Sequence, residues 1–241
     1  MRRVRKLKLA GLDVVMGGGT DGSGGGTGPM LVLCHGYGAP GDDLVPLGQA
    51  LGTAVRFACP AAPGILDKSV PATMAGRCWW PIDMVELQTA MMLGNLEMLM
   101  TRQPPGLAES RTAMLGLLDA LEREHAAPRE RLVLGGFSQG AMLATDVTLH
   151  AERPPAALAI LSGSLIAKQD WLPLMPRRAG LPVLQSHGRA DPVLAYSVAE
   201  KLRDELSHAG LAVRFVPFSG GHAIPPVVMN ELSGLLQSLT A

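Results

Sequence analysis

The chain has 241 residues, 21 lysines and arginines against 21 aspartates and glutamates, and a mean hydropathy of +0.22. That length buries a full core within one domain, and zero net charge gives no global attraction for nucleic acid or an anionic surface. No window approaches the roughly 18 apolar residues of a membrane span, and three cysteines, Cys34, Cys59 and Cys78, form no disulfide framework and suit a reducing cytoplasm.

The basic start, Met1-Arg2-Arg3-Val4-Arg5-Lys6, reads as the polar edge of an opening strand over 7–16. Lys8 and Asp13 interrupt the apolar run that a signal peptide needs. The glycine-rich segment 17–28 follows. Its Gly17-Gly18-Gly19-Thr20-Asp21-Gly22 matches a dinucleotide fingerprint in letters. Pro29 and a strand come next, however, where a helix would have to face the phosphate, so the segment reads as a mobile hairpin loop.

Residues 30–34 are a short apolar strand. Gly41-Asp42-Asp43 opens a helix to about Leu51 with an aspartate as cap, and 54–59 is the next strand. From 60 to 105 the chain is rich in proline and methionine and reads as a lid or insertion. A helix over 83–101 within it carries Met84, Leu87, Met91, Leu96 and Met98. Helical spacing of Met114, Leu117, Leu118 and Leu121 predicts a helix over 110–125. Then come a strand at 131–135, a helix at 139–150 and a strand at 157–161. A loop at 163–180 holds Trp171; after it come a strand at 182–186, a helix at 193–209, a strand at 212–218 and a helix at 226–239. Strands alternating with helices predict an α/β fold, a mostly parallel sheet with helices on both faces, as a single domain over 1–241.

The strand before residue 138 runs into Gly136-Phe137-Ser138-Gln139-Gly140, and a helix leaves it. This is the context of a nucleophile elbow, in which a serine projects from a sharp strand-to-helix turn. Shuffling so glycine-rich a chain gives about 0.2 such matches, so the motif needs support from elsewhere. A serine nucleophile needs a base and an acid that orients it, in the α/β-hydrolase order Ser, Asp, His. Asp191 follows the strand at 182–186, and His222 follows the strand at 212–218; both sit on the post-strand loops where such a sheet presents ligands. The competing readings are Asp191 as a helix N-cap before Pro192, Asp170 as the acid, and His222 as a structural loop residue. His125, His150 and His208 fall at helix C-terminal ends, and His187 ends a strand as a structural residue.

The backbone N–H groups of Gln139 and Tyr37 are the candidate oxyanion donors, with Gly36 and Gly38 letting the backbone close on the substrate. His35 reads as a brace for that loop. There is no H-E-x-x-H and no C-x-x-C, so no metal site is expected, and aromatic residues are too few for a nucleic-acid stacking platform.

Several blocks together resemble the phospholipase/carboxylesterase family of small α/β hydrolases, which includes the acyl-protein thioesterases. They are Leu33-Cys34-His35-Gly36-Tyr37-Gly38, Gly41-Asp42-Asp43, Pro60-Ala61-Ala62-Pro63, Gly135-Gly136-Phe137-Ser138-Gln139-Gly140-Ala141-Met142, Leu161-Ser162-Gly163-Ser164-Leu165, His187-Gly188-Arg189-Ala190-Asp191-Pro192-Val193 and Gly221-His222-Ala223-Ile224-Pro225. The resemblance runs from about Leu31 to the C-terminus. It implies a triad of Ser138, Asp191 and His222. It also implies that Trp79-Trp80-Pro81-Ile82-Asp83 corresponds to a family stretch near the acyl pocket, although the inserted Pro81 and Ile82 make the match loose. Trp79 and Trp80 are thus candidates for substrate contact or for packing, and the methionines of 83–101 for an acyl channel or for core. The implied activity is a cofactor-free serine carboxylesterase for short- to medium-chain carboxylic esters, with thioesters as a second class. The alternatives are lysophospholipase or acyl-protein thioesterase activity, or a non-catalytic binding protein on the same fold. The expected partner is a small acyl ester or thioester, with no nucleic acid and no stable membrane insertion. A cytoplasmic monomer or homodimer is expected.

Overall fold

The computed structural model describes residues 4–52, 54–71 and 74–239. The head of the basic run (1–3), two residues of the 60–105 segment (72–73) and the last two of the expected 1–241 domain lie outside the described residues.

The chain opens with strands β1 (Val4–Leu9), β2 (Leu12–Gly19), β3 (Ser23–Gly25) and β4 (Met30–Cys34), then helix α1 (Val45–Ala50) and β5 (Arg56–Pro60). A small hairpin of β6 (Gly64–Ile65) and β7 (Arg77–Cys78) precedes helices α2 (Met84–Met92), α3 (Leu96–Thr101) and α4 (Leu107–His125). The remainder is β8 (Leu132–Phe137), α5 (Gln139–His150), β9 (Ala157–Leu161), α6 (Lys168–Trp171), β10 (Pro182–Gly188), α7 (Tyr196–His208), β11 (Ala212–Phe218) and α8 (Pro226–Ser238).

Among the described residues the main sheet has nine strands in the order β1-β2-β5-β4-β8-β9-β10-β11, with β3 paired to β2. β2 is antiparallel to β1 and to β5, and every neighbouring pair from β5 to β11 is parallel. This is the mostly parallel α/β sheet expected. Strands β4 and β9 are buried along their whole length, and β8 along all but Phe137. Both faces are covered, so their sequences are apolar throughout rather than alternating. Successive residues still point to opposite faces. Val32, Leu134 and Ile160 join the core shared with α4, α5 and α7 on one side, whereas Leu31, Val133 and Ala159 join the core shared with α1 and α8 on the other.

Several elements differ from expectation. The opening strand is two strands, because Ala10 (φ 47°) and Gly11 (φ 83°) turn the chain back on itself; two consecutive positive-φ residues make the tight hairpin turn that suits strand twist. The glycine-rich segment is no open loop. Gly17, Gly18 and Gly19 extend β2, and Asp21 ties the turn after them. Its Oδ1 accepts the N–H groups of Ser23 and Gly25, both at 2.8 Å, and its Oδ2 accepts the Ser23 hydroxyl at 2.8 Å. The bonds from Ser23 and Gly25 hold the carboxyl down at about 2.

Neither Asp42 nor Asp43 caps α1, which starts at Val45 with Pro46 in its first turn; the Asp42 carbonyl accepts the Val45 N–H instead. The helix expected over 83–101 is broken at Gly94 (φ 68°) and Asn95 into α2 and α3. Asp83 caps α2 by accepting the Glu86 N–H at 2.9 Å. Helix α4 begins at Leu107 after Gly106 (φ 89°), which places Ser110 inside it. Helix α7 begins at Tyr196, three residues after the expected start.

Candidate active site

The elbow is built where β8 meets α5. Ser138 has φ 54° and ψ −118°, a conformation that costs an L-residue about 1–3 kcal/mol. The surroundings hold it there. The Ser138 N–H donates to the Leu161 carbonyl on β9 at 2.9 Å. The turn also needs its glycines, because a Cβ on Gly140 would lie 2.0 Å from the Cys34 carbonyl oxygen and one on Gly136 would lie 2.3 Å from the Gly140 backbone.

The loop after β4 lies against this turn. His35 is buried, its Nε2 accepts the Ala62 N–H at 3.0 Å, and so its Nδ1 donates to the Gly36 carbonyl at 2.8 Å. Burial pushes the ring's pKa below its ordinary value, which keeps this bracing tautomer. Tyr37 and Gln139 both line the cavity at the elbow. The Gln139 side chain, which no motif marks, is buried and makes a clasp. Its Oε1 accepts the Trp79 N–H at 3.0 Å and its Nε2 donates to the Trp80 carbonyl at 2.8 Å. Trp79 is pinned twice more: its indole donates to the His35 carbonyl at 3.0 Å, and its own carbonyl accepts the Ser110 hydroxyl at 2.6 Å.

The expected acid and base meet. His222 Nδ1 lies 2.7 Å from Asp191 Oδ2. Asp191 Oδ1 accepts the N–H groups of Val193 at 2.8 Å and Leu194 at 3.0 Å. The carboxylate therefore folds over its own loop; it does not cap α7, which starts further on. Burial pushes the Asp191 carboxyl up. Hydrogen bonds from His187, His222, Leu194 and Val193 outweigh it and hold the carboxyl well below the usual carboxylate range. Gly188 allows the loops after β10 and β11 to touch, since a Cβ there would lie 2.2 Å from the Gly221 carbonyl oxygen. The His222 ring packs on Phe137, the residue before Ser138, with centroids 4.6 Å apart. Ser138 and His222 share the cavity wall, although among the described residues no hydrogen bond joins the serine hydroxyl to the ring; such bonds often tighten only when substrate binds.

The cavity encloses about 360 Å³. Ser138, Tyr37 and His222 line it. Trp80, Met84, Leu87, Met91 and Leu99, from the 60–105 segment, form an apolar wall. Trp80 is thus at the cavity, whereas Trp79 is not among its lining residues: it lies beneath, holding the loop after β4 through the His35 carbonyl. Met84 and Met91 face the cavity and Met98 does not.

The other candidates lie elsewhere. Asp170 accepts the Gln103 amide at 2.7 Å in an exposed pair. His125 meets Arg5, and His150 bonds the Asp146 carbonyl one turn back in α5. Among the described residues no cluster of three His, Cys, Asp or Glu side chains is placed to hold a metal ion, and no helix is long and apolar enough to cross a membrane.

Comparison with known proteins agrees with this fold. The model of a family described as Phospholipase/Carboxylesterase matches residues 25–240. Acyl-protein thioesterase 1 of Neurospora crassa is 29% identical over 192 residues, covering 77% of this chain and 73% of that protein. Acyl-protein thioesterase 1 homolog 1 of Dictyostelium discoideum is 24% identical over 207 residues, covering 81% and 84%. Among solved structures, esterase PE8 superposes with a TM-score of 0.76 at 25% identity, covering 97% of this chain and all of that one. A carboxylesterase from Mesorhizobium loti has the same fold, with a TM-score of 0.73 at 17% identity over 97% and 98% of the two chains.

Proposed function

The chain belongs to the phospholipase/carboxylesterase family of α/β hydrolases, and from that premise we propose that it is a serine carboxylesterase for short- to medium-chain esters that works through Ser138, His222 and Asp191. The observation that carries this reading is the 2.7 Å bond from His222 Nδ1 to a buried Asp191 carboxylate, on a ring packed against Phe137 beside the elbow. With Nδ1 engaged, Nε2 is the nitrogen left to take the Ser138 proton. The serine Oγ attacks the acyl carbonyl, and the N–H groups of Tyr37 and Gln139 hold the resulting oxyanion. His222 returns the proton to the leaving alkoxide, and the acyl group stays on Ser138. Water, activated by the same ring, then releases the acid. Asp191 stays ionised and stabilises the charged ring of each intermediate.

The acyl chain lies along the apolar wall of Trp80, Met84, Leu87, Met91 and Leu99. Methionine, unbranched and polarisable, lets such a wall adapt to chains of different length. In this reading the chain is one domain whose 60–105 segment roofs the site. The three free thiols are buried, as suits a reducing compartment.

A thioester reading has its own support, since curated relatives carry the name acyl-protein thioesterase over most of their length. The same steps apply, with a thiolate as leaving group.

The test is Ser138→Ala assayed on p-nitrophenyl butyrate and on butyryl and octanoyl thioesters, with fluorophosphonate labelling of the wild type. The expected result is loss of at least about 10³-fold in turnover and a single labelled peptide containing Ser138. Wild-type activity in the variant, or a label elsewhere, overturns the assignment. A flat response to every ester with turnover confined to thioesters selects the second reading.

A further inference from the structure

We propose that His187 is a positioning residue for the acid: its Nε2–H holds the oxygen of Asp191 that also serves His222, and thereby sets how strongly that carboxylate favours a charged His222. This rests on the roles proposed above for Asp191 and His222.

His187 lies in β10, four residues before Asp191, and its side chain is fully buried. Its Nε2 is 3.2 Å from Asp191 Oδ2 and 3.0 Å from the Leu194 carbonyl oxygen. Both neighbours accept, so Nε2 carries the hydrogen. Among the described residues its Nδ1 has no hydrogen-bond partner, so the ring's polar contacts there are all made toward the acid and its loop. Tyr196 of α7 stands edge-on at 6.1 Å, and Arg189 lies over the Tyr196 ring at 5.1 Å. Its partner across β11 is Pro217, which carries no charge.

Two imidazoles therefore share one carboxylate oxygen, His222 at 2.7 Å and His187 at 3.2 Å. A donor on a carboxylate disperses its charge and weakens its pull on the other partner. The same donor also grips Leu194, whose neighbours Val193 and Ala195 line the cavity with it. One buried ring thus ties the acid to a stretch of cavity wall. An apolar residue of similar size fills the space equally well but supplies neither the bond to Leu194 nor the polar hydrogen against Asp191 Oδ2.

The experiment measures kcat and kcat/KM for p-nitrophenyl butyrate across about pH 5–9 in the wild type, His187→Leu, His187→Gln and His187→Asn. In His187→Leu the undispersed carboxylate keeps His222 charged, and so unable to accept the serine proton, to a higher pH. The acid-side midpoint is expected to rise by roughly half a pH unit, and kcat to fall about tenfold as the loop loosens. His187→Gln, whose amide N–H reaches the same oxygen, restores the midpoint, and the shorter His187→Asn does not. A His187→Leu profile that superimposes on wild type overturns the proposal, as does identical behaviour of the Gln and Asn variants. If His187→Leu fails to fold, the Gln and Asn pair makes the same decision. Fluorophosphonate labelling of Ser138 separates the two levels: normal labelling with unmoved profiles removes only the role of His187, whereas no labelling even in wild type removes the catalytic reading beneath it.

Discussion

Replacing Gln139 by alanine tests whether the clasp between the elbow and the tandem tryptophans holds the site together. The substitution leaves the Trp79 N–H and the Trp80 carbonyl, both on buried residues, without their partner. Each unsatisfied group costs about 1–3 kcal/mol, so the pair costs roughly 4 kcal/mol. For a chain of this length that corresponds to a fall in Tm of roughly 8–16 °C. Because Trp80 lines the cavity and the Gln139 N–H is a proposed oxyanion donor, kcat/KM on p-nitrophenyl butyrate falls with it. Gln139→Glu adds a sign. An ionised carboxylate keeps an acceptor for the Trp79 N–H but sets its other oxygen against the Trp80 carbonyl, and protonation restores the missing donor. Folding therefore raises the new carboxyl's pKa. The stability it contributes is complete below the unfolded value of about 4.3 and is lost as pH rises through the folded value. Calorimetry of both variants across pH, with ester kinetics alongside, measures these effects. The reasoning is refuted if Gln139→Ala melts within about 2 °C of wild type, or if Gln139→Glu gains nothing relative to wild type as pH falls.

Four further outcomes follow from the geometry. Asp191→Asn leaves His222 in the wrong tautomer and lowers kcat about 10³–10⁴-fold, measured by steady-state hydrolysis. The depressed Asp191 pKa contributes stability that is present above the unfolded value of about 3.9 and lost as pH falls through the folded one, so acid unfolding of Asp191→Asn starts from a lower baseline and is less steep below about pH 4. Asp146→Ala breaks a buried set in which Asp146 accepts from Trp171 at 2.9 Å and from Arg111 at 3.0 Å; about 3–5 kcal/mol of stability is lost in urea titration, with kcat within about twofold of wild type because no member lines the cavity. Leu99→Trp shortens the apolar wall, and each methylene shut out costs about 0.8 kcal/mol, or roughly fourfold in kcat/KM, so a series of p-nitrophenyl esters shifts toward shorter chains.

The parts legible in the sequence are those whose cause is local. The elbow is announced by glycines either side of Ser138, and Asp191 and His222 by turn residues directly after apolar strands. The parts hardest to read depend on residues distant in sequence. The Gln139 clasp spans 60 positions to Trp79 and 59 to Trp80, and no motif encodes such a pairing. Trp79 and Trp80 are adjacent and chemically identical, yet backbone direction turns one under the loop after β4 and the other into the cavity wall. The break at Gly94 and Asn95 was readable as a glycine stop, but methionines and leucines on both sides continued the helical spacing across it. The Ala10 turn lacks the Asn-Gly or Gly-Gly signature that marks such hairpins.

The backbone at Ser138 has a consequence for how this protein responds to selection. Its φ of 54° and ψ of −118° are comfortable for glycine and uncomfortable for serine. The position on which turnover is proposed to depend is therefore one where the fold gains by losing its side chain. A library passed through heat alone would enrich glycine at 138 and yield hardier proteins that do nothing, so any search for a thermostable form has to screen for activity in every round.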